Sequence, residues 1–243
     1  MDTIDDLDAE QERLEALLEP LTEQQWSSPS AAAGWSIADV LVHLAQTEEA
    51  VAASIANADR ADLWERGDQP LDDAVDDAVR AERASGAEVL RRWRSARQQS
   101  LAALRGADPD QRVPWAATPL KPRVLATTRL AEHWAHGLDI TGPVGLPFPD
   151  TDRLRHVAWL GHRTLPYAFA VAGQEPHGVR CELIGPNGDM WSLGPENADS
   201  VIRGSAGEFC RVGAQRLRPE QTSLVAEGPH AAEALRVLRN YAA

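Results

Sequence analysis

The chain is poor in the residues that build thiol chemistry, cationic surfaces and membrane spans. It has two cysteines, Cys181 and Cys210, in 243 residues, too few for a disulfide framework or a thiolate-rich metal site. A metal would therefore need histidine and carboxylate ligands, and the two thiols are expected to be buried and inert. Lys121 is the one lysine beside 23 arginines, a bias to which we attach no function. The 24 cationic side chains face 37 acidic ones, a formal charge of −13. That balance excludes nonspecific binding to nucleic acid or anionic membranes, which needs clustered cations to displace counterions. No window reaches the roughly 20 apolar residues of a spanning helix. The opening stretch, "MDTIDDLDAEQERLEALLEP", has neither the basic nor the apolar region of a secretory leader. These absences predict a cytoplasmic protein.

Apolar periodicity supplies the rest. Ile4, Leu7, Leu14, Leu17, Leu18 and Leu21 recur at three- and four-residue steps, predicting a first helix that Pro20 bends or ends. After the loop "SSPSAAAGW", Ser36 is placed to cap a second helix, with Asp39 completing a capping-box variant and Ile37, Val40, Leu41, Leu44 and Val51 facing a core. A third long helix is expected from about Leu71 to Leu104, closed by Gly106, and a fourth from Pro122 to Ile140, proline being favoured at a first helical position. Helices of this length imply a four-helix bundle.

Beyond the Gly- and Pro-rich segment 141–152 the character changes. "RLRHVAWLGHRTLPYAFAVAG" reads as a connecting helix, so the first domain is set at 1–172. In "VRCELIGPNGDMWSLG" two strand-like runs flank Pro-Asn-Gly-Asp, a hairpin signal because Asn and Gly tolerate positive φ. "QTSLVAEGP" offers a further strand and "HAAEALRVLRNYA" a closing helix. The fold class is therefore mainly α, with a small α/β domain over 173–243.

The fourth helix also carries "EHWAHGLDI", residues 132–140. When the helix is projected down its axis, Val124, Thr128, Ala131, Ala135 and Leu138 cluster on one side and define the core face. Glu132, His136 and Asp139 then fall together on one shoulder of that face, while His133 lands on the side opposite Val124 and is expected to meet solvent. On the second helix His43 also sits on a shoulder, beside Thr47. His43, Glu132 and His136 could therefore share one ion and leave it an open position, the pattern of catalytic rather than structural zinc, with Asp139 orienting a ligand histidine. Ferrous iron suits the same donors. The bland alternative is a boundary histidine and an i, i+4 surface pair. His156, His162, His177 and His230 are read as surface or linker residues, and Trp26, Trp35, Trp93, Trp115, Trp134, Trp159 and Trp191 as packing residues.

"GWSIADVLVHLAQTEEA" followed about ninety residues later by "LAEHWAHGLDI" resembles the DinB-like metalloprotein superfamily and, within it, the mycothiol-dependent maleylpyruvate isomerase group. The tail "VIRGSAGEFCRVGAQRLRPEQTSLVAEGPHAAEALRVL" is similar to that group's second, sterol-carrier-like domain. The resemblance implies that His43, Glu132 and His136 hold a divalent ion, usually zinc, and that mycothiol is the cosubstrate. It also implies a thiolate that adds to a cis alkene conjugated to a carbonyl, allows rotation, and leaves the trans product. An arginine of the second domain is then expected to grip substrate carboxylates, and Arg211 and Arg216 are the candidates. Three readings follow: a thiol-using zinc enzyme that isomerises or S-conjugates a small electrophile in a cleft between the domains, a hydrolase using metal-bound water, or a carrier of metal or apolar ligand without turnover. No catalytic base can be named from the sequence.

Overall fold

The computed structural model describes residues 2–57, 70–115 and 118–240, and the chain divides into two compact units, Met1–Phe148 and Pro149–Ala242. The first is helical: α1 (Thr3–Leu18), α2 (Glu23–Trp26), α3 (Ile37–Ala56), α4 (Leu71–Ala81), α5 (Gly86–Gly106) and α6 (Pro122–Thr141). The four long helices α1, α3, α5 and α6 form the bundle, with α3 against α5, α1 against α6, and α6 also in contact with α3 and α5. Leu14, Leu18, Ile37, Leu41, Leu44, Val89, Trp93 and Ile140 fill its core.

Local chemistry sets the boundaries. The Ser36 hydroxyl accepts the Asp39 N–H at 3.1 Å and the Asp39 carboxylate accepts the Ser36 N–H at 2.9 Å, the reciprocal cap expected from the sequence. The expected single helix over 71–104 is instead two, α4 and α5, because Ser85 and Glu88 form a second capping box that starts a new helix. Gly86 lies directly behind it: a Cβ there would stand 2.1 Å from Trp26 Cγ, so the missing side chain lets the indole rest on the first turn of α5.

The second unit begins earlier than the sequence suggested. The helix α7 (Leu154–Val171), assigned above to the first domain, packs against α8 (Ala206–Gly213) and α9 (Ala231–Val237). Its buried Leu154, Val157, Leu160, Leu165 and Phe169 need that cover, so the division falls at Phe148–Pro149 rather than after residue 172. The sheet has the order β2-β1-β3-β4, from β1 (Val179–Ile184), β2 (Met190–Leu193), β3 (Ser200–Ser205) and β4 (Val225–Glu227). The expected hairpin is present, with Ile184 opposite Met190 and Gly188 at φ 87° in the turn. Missed by the periodicity were β3, which pairs parallel to β1, and α8, which Ser205 caps. His162 of α7 donates from Nε2 to the Val179 carbonyl at 2.8 Å, a tie to the first strand rather than a surface role. Among the described residues no helix is long and apolar enough to cross a membrane.

Both thiols lie inside the second unit. Burial pushes the Cys181 thiol up to about 12 and holds Cys210 well above its ordinary value, Asp150 adding to the effect on the latter. Neither should react with a chromogenic disulfide reagent at pH 8 in the folded protein, and both should react at once in guanidinium chloride. Rapid labelling of the native protein would show that the second unit opens readily.

Candidate metal centre

Helix α3 carries His43 and α6 carries Glu132 and His136, and each set of side chains leaves its helix toward the other. Their ligand atoms all lie within 4.8 Å of one another. His43 Nε2 is 3.5 Å and His136 Nε2 3.4 Å from the same oxygen, Glu132 Oε2. Bonds of about 2.0–2.2 Å to a tetrahedral ion set donors about 3.4 Å apart, so these separations match the edges of such a polyhedron. The donor set fits a divalent cation. His136 is oriented from behind: its Nδ1 donates to Asp139 Oδ2 at 3.0 Å, which keeps a proton on Nδ1 and turns Nε2 toward Glu132. Asp139 itself is 1 % exposed, so this acceptor lies out of reach of bulk solvent.

Electrostatics follow from burial and these contacts. Burial pushes the His43 imidazole below its ordinary value, against the pull of Glu132. Burial would raise the Glu132 carboxyl, yet the adjoining His136 and His43 rings and the Arg129 charge hold it well below the carboxylate range. For His136 burial acts downward, but the Asp139 and Glu132 carboxylates outweigh it and the value is raised.

Trp35 closes one side of the group. Its ring centroid lies 5.3 Å from that of His43 and 6.3 Å from that of His136. The loop before α3 sets it there: Gly34 adopts φ 82°, which glycine takes without strain, and the Ser30 N–H and hydroxyl both donate to the Trp35 carbonyl at 2.9 Å. Ala31 N–H donates to the Asp139 carbonyl at 2.9 Å, docking the same loop on the end of α6. Trp35 also lines an open cavity of about 580 Å³ with Trp26, Ser36, Asp39, Arg83 and Ser85. Arg83 and Asp39 pair in two-point contact at 3.0 Å on its wall. Trp35 also packs against the bundle core, as expected from the sequence, so one indole serves both the core and the wall of the histidine group.

His133 departs from the axial projection of the helix. It is fully buried rather than solvent-facing. Its Nδ1 donates to the Arg129 carbonyl at 2.8 Å, and its Nε2 accepts the Trp93 indole N–H at 3.2 Å. Burial, with the nearby Arg129 charge, lowers its pKa to about 4, so the ring is neutral at neutral pH. The departure arises because α6 is packed by α1, α3 and α5 at once, so Leu125, Ala126, Arg129, Leu130 and Trp134 are buried while Val124, Thr128 and Leu138 of the assigned core face are only half-buried. Arg211 and Arg216 lie in the second unit. Arg211 donates to both oxygens of Asp150, at 2.7 and 3.0 Å, and the exposed Arg216 donates to the Ala214 carbonyl at 2.6 Å.

Residues 7–141 match the family described as the mycothiol maleylpyruvate isomerase N-terminal domain. Proteins from two strains of Mycobacterium tuberculosis, both named as uncharacterized, are each 36 % identical over 241 residues, covering 98 % of this chain and 94 % of theirs. Crystal structures of the mycothiol-dependent maleylpyruvate isomerase and of a histidine-to-alanine mutant superpose with TM-scores of 0.64 and 0.63. These matches cover 93 % of this chain and 95 % of each of those, at 14 and 15 % identity, which shows a shared fold.

His133→Ala should destabilise the first unit by roughly 3 kcal/mol, because it removes buried volume and strands the Trp93 N–H. A denaturant titration followed by near-ultraviolet circular dichroism measures this, and a loss below about 1 kcal/mol would mean the neighbouring groups re-pair without cost.

Proposed function

Because the chain belongs to the mycothiol maleylpyruvate isomerase N-terminal domain family, we propose that it is an enzyme that binds a divalent ion, zinc in the first instance, through His43, Glu132 and His136. It uses mycothiol to isomerise, or to S-conjugate, a small electrophilic substrate. The observation that carries this reading is the convergence of two imidazole Nε2 atoms on one Glu132 oxygen. When bound there, a divalent cation would supply the positive charge that keeps a nearby thiol in its thiolate form near neutral pH.

The chain's own residues do the remaining work. Asp139 holds the His136 proton on Nδ1, so that Nε2 stays a lone-pair donor. Glu132, kept ionised, supplies the one negative charge of the donor set, so a dication held there by it and by two deprotonated Nε2 atoms would keep net positive charge to attract an anionic sulfur. Trp35 covers the histidines on one side and limits access of bulk water. The substrate is taken to carry carboxylate, as the cosubstrate family suggests, and of the two arginines considered for it, Arg211 would have to exchange Asp150 for the substrate, whereas Arg216 is already exposed.

Elemental analysis of the purified protein should find about one zinc or other divalent ion per chain, and little in His43→Ala or Glu132→Ala. Equal metal in all three would reject the site. With maleylpyruvate as probe, turnover should require added mycothiol; turnover in its absence would instead support hydrolysis by metal-bound water.

A further inference from the structure

Behind the three proposed ligands lies a second polar cluster that the reaction does not use directly. Glu48 is fully buried and Arg129 is 3 % exposed. Arg129 Nε donates to Glu48 Oε1 at 2.8 Å and its Nη2 donates to Thr47 Oγ1 at 2.6 Å. The Thr47 hydroxyl in turn donates to the His43 carbonyl at 2.9 Å. The other Glu48 oxygen accepts the hydroxyl of Ser100, also fully buried, on α5. Arg129's own carbonyl accepts the His133 Nδ1 proton at 2.8 Å.

Position along the helices gives this cluster its meaning. Thr47 and Glu48 stand about one turn beyond His43 on α3, and Arg129 about one turn before Glu132 on α6. The ion pair therefore bridges the two ligand-bearing helices at the level next to the ligands. Stability alone does not account for it, since replacing a buried ion pair by apolar residues of similar volume is often neutral or stabilising. Its geometry is more constraining than apolar packing: a guanidinium with one carboxylate and one hydroxyl acceptor fixes both translation and rotation of α6 against α3.

We infer that the Glu48–Arg129 pair, with Thr47, is a positioning element that sets the approach of His43 to Glu132 and thereby the affinity of the site for its ion. This rests on the metal reading above. Removing the pair should loosen metal binding while leaving a folded bundle, whereas a purely structural pair would move only the melting temperature.

The test uses the full-length protein, zinc affinity by competition with a chromophoric chelator, and the visible absorption of the Co²⁺-loaded form. Glu48→Leu combined with Arg129→Met removes both charges together; Thr47→Val removes one acceptor and serves if the double variant does not fold. The double variant, confirmed folded by circular dichroism, should bind zinc about 10- to 100-fold more weakly, with altered cobalt bands, and Thr47→Val should shift both in the same direction by less. Folded variants with parental affinity and parental cobalt spectra would overturn the inference while leaving the metal site intact. Absence of zinc binding in the parent would overturn both.

Discussion

Glu48 and Arg129 carry opposite full charges where water scarcely reaches, and the rest of the first unit is arranged so that neither stands alone. A charge buried without a partner is strongly disfavoured, so each must be neutralised in place. Arg129 satisfies Glu48 from α6, Ser100 does so from α5, and Thr47 takes the remaining reach of the guanidinium. Burial alone would raise the Glu48 carboxyl, but the Arg129 charge and the hydrogen bonds from Arg129 and Ser100 hold it below its ordinary value, so it stays ionised. The arrangement works only when three helices keep one register. The same register puts His43 opposite Glu132.

From that level the polar interior continues toward the proposed ligands as a chain of oriented donors. His133 spends its one N–H on the Arg129 carbonyl and accepts from Trp93. One turn on, His136 spends its N–H on Asp139. Both rings sit on α6 and both are held as the Nδ1–H tautomer, yet their chemistry differs. His133 Nε2 is covered by an indole N–H, whereas His136 Nε2 looks onto the Glu132 carboxylate beside His43. What surrounds the lone pair, rather than the residue type, separates a structural histidine from a candidate ligand.

How much of this could be read beforehand follows from the range of the forces involved. The α3 cap, the proline start of α6 and the Asn-Gly hairpin are short-range effects, and all are found as expected. The break between α4 and α5 is equally local, but the Arg- and Ala-rich continuity on either side of Ser85 concealed its capping box. The end of the first unit was misplaced because α7 is amphipathic and its sequence does not say which partner its face will meet. Around the axis of α6, Arg129 falls between His136 and His133, so the arc from Asp139 to His133 gathers five polar side chains, with Leu125, Pro122 and Ile140 interspersed. A polar arc on an isolated helix reads as a solvent face, and here it meets Thr47, Glu48, Trp93 and Gln11 instead.

The sequence by itself determined where most helices begin, that any metal would be held by histidine and carboxylate, and that Glu132 and His136 share an edge, because helical spacing and donor chemistry are properties of neighbouring residues. Whether the remaining histidine of α6, His133, meets solvent or the core was decided only by tertiary structure. That choice depends on the groups α1, α3 and α5 bring against α6 from up to 122 positions away, and no local period encodes them.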